Sequence, residues 1–550
     1  MGRQLAVQGQ KQVHPARRVL VLGSVSPALL KGISESLTGR VGLFELAGIS
    51  VFGGDPRRQW VSAGFPRSTT WRLGRSSLTA SPPRPSLVAV MTPLPRATGY
   101  LVLPLLLLAP PASPQNLCPV TQPGAAGIQA AIDTCAAKGG GVAYVPPGEH
   151  VSGPFWMKDN VELRLEAGAL VRLSQDSADW PQGARALVNS RGARNIAITG
   201  RGTFDGAAQW AYGPVRRVDS EIVEEQETAR RAGVEMKRYY RTGDVQKYLI
   251  VLQESEDVRI EDVTIRNAPL WNVRLQDCDR VWVRGIHVYS DLERGVNSDG
   301  IDIVSSSNVT ISDSTIVTAD DSICLKTEAL DPSPGRPVRP VENVLVTNSV
   351  LGSSSTPMMI GTETHADIRH VVFSNIVVRD SNKVFGINVQ DGGTVSDVRF
   401  HNVTFETSRR HWNWWGSAEV MKFVLKRRTP DSKLGRIEHI TVDGVQGTAR
   451  GTSLVAGHAE RMLEDISVSN LRVRMLAENK PDKRATHGLV FERVKRLTLR
   501  NVEVEWDREK PEPGWESALV VRDVEGLTLD GFKGEAGRSS LPAVVRERVR

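Results

Sequence analysis

The sequence predicts an all-β fold: a single-stranded, right-handed parallel β-helix of roughly ten coils with a short N-terminal capping helix. Three observations lead there. First, a short phrase recurs along the chain, a small or polar residue followed by alternating Val, Ile or Leu and then Asn or Asp. Its copies begin at Asn195, Asp257, Arg280, Asn308, Asn343, His370, Asp397, His439, Asp465, Arg496 and Gly526, mostly about 23 to 42 residues apart. Second, no helical pattern separates the copies, which argues against leucine-rich, ankyrin and doubly wound folds. Third, most intervals are too short for the four strands of a propeller blade. Stacked coils would repeat at about 4.8 Å and bury the inward Val, Ile and Leu as one continuous core. Asn and Asp at coil corners suit bends that visit left-handed conformations.

Taken in chain order, residues 1–90 hold 12 Lys and Arg against three acids and show no sustained period. This segment is expected to be disordered, or to lie upstream of a true start at Met91. Residues 91–115 carry one cation (Arg96), a short apolar run (Leu101–Leu108) and a small-residue exit, the layout of a secretory leader. A secreted or periplasmic location follows, with no permanent membrane span, since a span needs about 20 apolar residues. The rest of the chain has 57 basic and 59 acidic residues, so the net charge of +7 gives no reason to expect a nucleic-acid partner. Residues 116–550 are read as the β-helix, with a helix at 127–137 capping the open first coil. In an exported protein Cys118 and Cys135 could pair, whereas Cys278 and Cys324 lie in strand-like runs and read as buried thiols. The charged stretch 206–247 breaks the phrase and reads as an excursion, either a cleft wall or a solvated insertion. No CxxC or HExxH occurs, and no metal or cofactor is expected.

The densest acidic chemistry is Asn297-Ser298-Asp299-Gly300-Ile301-Asp302, followed by Asp320-Asp321. Asp299 and Asp320 are separated by about one lean coil, so stacking should bring Asp299 beside the Asp320–Asp321 pair. Three close carboxylates resist simultaneous ionisation, and one becomes a proton donor beside ionised partners. Glycosidic cleavage needs both: an acid for the leaving oxygen and a base for water. Asp302, inside a strand-like run, reads instead as a structural residue.

These residues in their coil context resemble glycoside hydrolase family 28, the polygalacturonase family. The likeness runs from Gly139-Gly140-Gly141-Val142 to about Thr407 and includes Gly202-Thr203-Phe204-Asp205-Gly206 and Asn267-Ala268-Pro269-Leu270-Trp271-Asn272. The family's Asn-Thr-Asp is here Asn297-Ser298-Asp299. The resemblance implies inverting hydrolysis of an α-galacturonoside in a pectic poly- or oligosaccharide. Asp320 would donate the proton, and Asp299 and Asp321 would activate water across a gap of about 6.5–9.5 Å. The sequence departs from the family where a His and an Arg-Ile-Lys are expected. Thr356 stands for the histidine, and Gly386-Ile387-Asn388 for the cationic motif. A neutral Asn cannot supply the charge that favours a carboxylate.

His365 is a candidate replacement cation. Trp271, one coil before Asp299, reads as a cleft wall. The run Trp412-Asn413-Trp414-Trp415 is either a packing element or a platform for sugar faces, with Glu419 a candidate hydroxyl ligand; a long loop would have to carry it to the acids. Two other readings stay open: a β-helical polysaccharide lyase using Ca²⁺ and a basic residue, though no such residue stands out beside the acids, and a non-catalytic glycan-binding solenoid.

Overall fold

The computed structural model describes residues 116–214, 245–328, 337–410 and 415–550, with a few positions between 227 and 241 and the strands Val88–Met91 and Val102–Leu105. Those two strands pair antiparallel. The rest of 1–115, and with it most of the expected leader, lies outside the described residues.

From Leu117 onward all the described strands but Tyr212–Pro214 and Tyr239–Arg241 belong to one parallel, right-handed β-helix. One column of stacked residues runs Val142, Glu162, Ala197, Arg259, Trp282, Thr310, Leu345, Val372, Arg399, Thr441, Ser467, Thr498 and Thr528, a longer stack than the ten or so coils expected. Strand Val161–Leu165 shows the reason the sequence winds this way. Val161, Leu163 and Leu165 are buried while Glu162 and Arg164 turn outward. The inward residues join one continuous core from Cys118 to Val524.

Every start of the recurring phrase sits at a left-handed corner, with φ between +53° and +73° from Asn195 to Gly526. Asn tolerates this region because its short amide bonds locally. Here the amides also bond along the stack, Asn195 Nδ2 to Asn160 Oδ1 at 2.9 Å and Asn343 Nδ2 to Asn308 Oδ1 at 3.0 Å.

Helix α1 (Gly124–Ala137) turns Ile128, Ala131, Ile132 and Cys135 onto the first coil. A disulfide links Cys118 to Cys135, while Cys278 and Cys324 are buried free thiols. Within the 206–247 stretch, the described strands Tyr212–Pro214 and Tyr239–Arg241 pair antiparallel with each other, outside the parallel ladder. No helix among the described residues is long and apolar enough to cross a membrane.

Six stacked strands carry the outward face that matters below: β1 (Val273–Gln276), β2 (Ile301–Val304), β3 (Ile323–Thr327), β4 (Met358–Thr364), β5 (Lys383–Val389) and β6 (Glu419–Leu425).

Candidate active site

The turns entering β2 and β3 hold the acids. Ile301 pairs with Ile323, so the coil step is 22 residues, and Asp299 aligns with Asp321 rather than Asp320. The Gly300 amide donates to the Asp321 carbonyl at 2.8 Å. Side-chain oxygens of Asp299 and Asp321 lie within 4.8 Å of one another, a gap that one water spans by donating to both. Asp320 stands one residue earlier. All three carboxylates are buried.

Local hydrogen bonds fix these backbones. Asn297 adopts φ +57°. The Asn272 side chain and amide both donate to the Asp299 carbonyl, at 2.8 and 2.9 Å. Ser298, where the family has Thr, is fully buried and bonds the Ser290 hydroxyl at 2.5 Å. The Asp320 carboxylate accepts the Asp321 amide at 3.0 Å, and Asn297 Nδ2 approaches its other oxygen at 3.4 Å. Asp321 accepts the Ser355 hydroxyl at 2.9 Å and the Thr356 amide at 3.1 Å.

Burial pushes the Asp299 carboxyl well above the usual carboxylate range, and the Asp302 and Asp321 charges add to it. Asp321 is also raised, mainly by burial, with Lys326, Lys383 and its hydrogen bonds opposing. Asp302 is pushed up to about 7 by burial, against the pull of Lys326.

Lys326 corrects the expectation that no basic residue stands beside the acids. Its Nζ lies 2.9 Å from Asp302 Oδ1, 3.5 Å from Asp299 Oδ2 and 3.8 Å from the Trp271 ring centroid. Asp302 is therefore the partner of a buried cation, not a turn residue capping backbone amides. Strand alternation carried the missed signal: Lys326 shares its face of β3 with Cys324, which pairs with Asp302.

A second buried lysine lies where the family's cations are missing. Lys383 Nζ donates to the Thr356 hydroxyl at 3.3 Å. A side chain at Gly386 would meet Met359 Sδ at 2.5 Å and Thr356 Cγ2 at 3.2 Å, so the space above this residue is already filled, with Lys383 Cδ alongside at 3.7 Å. Asn388 is half-buried, and its Oδ1 makes no hydrogen bond among the described residues. His365 is exposed and turns to Asp391 at 3.9 Å.

Trp271 is half-buried, edge-on to Tyr248 at 5.6 Å, with the Arg274 guanidinium 4.8 Å from its ring. Trp414 lies outside the described residues. Trp415 packs on Val296 and Ala319, the neighbours of Asn297 and Asp320, so its loop does return over the earlier coils. Arg409 anchors that loop: fully buried, it bonds Asp482 at 2.7 and 2.8 Å and Glu478 at 3.2 Å. Glu419 is buried at the start of β6, pairs in register with Lys383, and accepts the Ser417 amide.

Cys324 Sγ also lies within 4.8 Å of the Asp299 and Asp321 oxygens. Its thiol is pushed well up by burial and donates to the Gly361 carbonyl at 3.0 Å, so it is a protonated thiol rather than a thiolate ligand. With an ammonium already fixed 3.5 Å from Asp299, the set does not fit a divalent cation.

Comparison with known proteins bears on the family and the fold. The family model for glycosyl hydrolases family 28 matches residues 143–474. A probable polygalacturonase of Vitis vinifera is 27% identical over 303 residues, covering 50% of this chain and 55% of the relative. The match thus spans little more than half of that relative's length. An endo-polygalacturonase of Pectobacterium carotovorum subsp. carotovorum is 23% identical, covering 59% of this chain and 77% of the relative. Among solved structures, an exopolygalacturonase from Thermotoga maritima superposes with a TM-score of 0.54 at 22% identity, covering 66% of this chain and 88% of that one. The polygalacturonase from Erwinia carotovora ssp. carotovora gives 0.51 at 20% identity, covering 71% and 97%. These last two likenesses speak for the fold. The match from the first coils to Arg474, lying across the turns that hold the acids, places the chain in the glycosyl hydrolases family 28, a family of glycosidases.

Proposed function

We propose that the protein is an exported hydrolase of α-linked galacturonosides in pectic polysaccharides or oligosaccharides, acting with inversion. The observation that carries this reading is the stacking of Asp299 on Asp321, with Asp320 adjoining. In this reading Asp320 protonates the leaving glycosidic oxygen. A water held by Asp299 and Asp321 attacks the anomeric carbon from the opposite face, and its proton passes to that carboxylate pair. Trp415 offers a flat wall for a sugar ring, whereas the Trp271 ring already carries Lys326 and Arg274. The buried ammonium of Lys383 supports an acidic sugar in the cleft, at the place where Thr356, Gly386 and Asn388 are neutral. The Cys118–Cys135 disulfide supports export to an oxidising compartment.

A lyase would need a deprotonated base beside the sugar. Lys326 is unsuited to that role, because Asp302 and Asp299 hold its ammonium well above the usual lysine range despite burial. The test is reducing-end release from polygalacturonate and rhamnogalacturonan fragments by the wild type and by Asp299→Asn and Asp320→Asn. Hydrolysis lost in both variants is expected. Full activity in either variant overturns the assignment, and an unsaturated, ultraviolet-absorbing product favours a lyase.

A further inference from the structure

Strand β3 is buried at all five positions, yet Ile323 and Leu325 face the core while Cys324 and Lys326 face the acids. A lysine kept from water on an outward face is unusual, because its charge must be matched where it lies. The match is made across three successive coils. Lys326 belongs to one, Asp299 and Asp302 to the coil before it, and Trp271 to the coil before that. The ammonium touches Asp302 at 2.9 Å, Asp299 Oδ2 at 3.5 Å and the Trp271 face at 3.8 Å. One oxygen of this carboxylate is thus held by a cation, and the other, Oδ1, is buried without a hydrogen-bond partner among the described residues.

We propose that Lys326 is a positioning residue: anchored on Asp302 and the face of Trp271, it grips Asp299 by Oδ2 and so presets the orientation and charge of the carboxylate that activates water. This rests on the hydrolase reading above and adds to it the residue that prepares the base. The charged and titratable groups around Asp299 are Asp302, Asp321, Cys324 and Lys326, with Arg274 acting on Asp302 from the preceding coil and Glu363 on Lys326 from the following one. Among them Lys326 is the cation in direct reach of Asp299. Asp302 competes for it at the shorter distance, so the two acids divide one positive charge. Lys326 transfers no proton in this account. It fixes where the Asp299 oxygens point before substrate arrives.

The experiment uses the full chain with Lys326→Met, Lys326→Arg and Asp302→Asn, each checked for folding by circular dichroism. Two quantities are read: kcat and KM against pH on polygalacturonate, and ¹³C-carboxyl titration of aspartate-labelled protein, with the Asp299 resonance identified by its loss in Asp299→Asn. Lys326→Met should lower kcat by about 100-fold with KM changed less than about threefold. Its acidic limb and the Asp299 resonance should both move to higher pH. Lys326→Arg should return both towards wild type. Asp302→Asn should move them to lower pH, because the whole ammonium then serves Asp299, and it tests the same tie should Lys326→Met fail to fold. A Lys326→Met protein that loses thermal stability but keeps the wild-type kcat, limb and resonance overturns the proposal, as does an unmoved resonance in Asp302→Asn. If the wild type cleaves no pectic substrate while the resonance moves as stated, the charge tie stands and the hydrolase reading fails.

Discussion

Asp299 and Asp321 occupy the same position on consecutive coils, joined by the Gly300 amide donating to the Asp321 carbonyl at 2.8 Å. Neither could be this near the other in an unwound chain. The winding turns a 22-residue separation into lateral contact, and burial then makes each carboxylate sensitive to the other's charge.

The pH dependence follows from that contact. A base works ionised, and Asp299 and Asp321 are both raised above the usual carboxylate range. Activity should therefore fade on acidification at a higher pH than an exposed aspartate would set. A kcat/KM profile checks this, and full activity down to about pH 4 would contradict it.

Stability should carry the same signature through Asp302. Its carboxyl is pushed up to about 7 in the folded state, well above the usual carboxylate range, so the folded state holds the proton longer. Its stabilising contribution is complete below about pH 4 and is lost as pH rises to about 7. Thermal unfolding across this window should show a decline that flattens in Asp302→Asn.

The corners of the coils are legible in the residue pattern; the contacts between coils are not. The phrase starts from Asn195 to Gly526 all take left-handed φ, because each coil needs a bend there; Asn or Asp supplies it at six of the eleven, and Arg, His or Gly at the other five. The neighbourhood of Asp299 was legible for the same reason, since spacing approximates stacking. Its register was not, because one residue more or less in a turn changes which acid faces which. Lys326 and Lys383 were missed because a lone lysine in a strand looks solvated until the neighbouring coil is known. The return of Trp415 over Val296 and Ala319 depends on Arg409 meeting Asp482 and Glu478 from a distant loop, which no local pattern encodes.

That anchor yields a stability prediction. Arg409→Met leaves the buried Glu478 carboxylate without its cation, while Asp482 keeps Arg484 at 2.7 Å, and the loss should be about 3 kcal/mol in denaturant unfolding. KM should rise in the folded fraction as the Trp415 wall loosens. An unchanged midpoint would show that the pair does not hold the loop.

Restoring the family's cation at its usual position should fail. Gly386→Arg places a Cβ 2.5 Å from Met359 Sδ, and overpacking of this kind costs about 1–3 kcal/mol. Lys383→Met, by contrast, should leave the melting temperature within a few degrees while raising KM on polygalacturonate by about tenfold or more. A KM unaltered by Lys383→Met would remove this lysine from substrate recognition.

The central claim is that the Asp299, Asp320 and Asp321 carboxylates cleave an α-galacturonoside by direct attack of water. Proton NMR of the first product released from a galacturonide oligomer tests it most directly. The account predicts the β-anomer at early times, followed by slow mutarotation. The α-anomer appearing first, or an unsaturated end group, would contradict it.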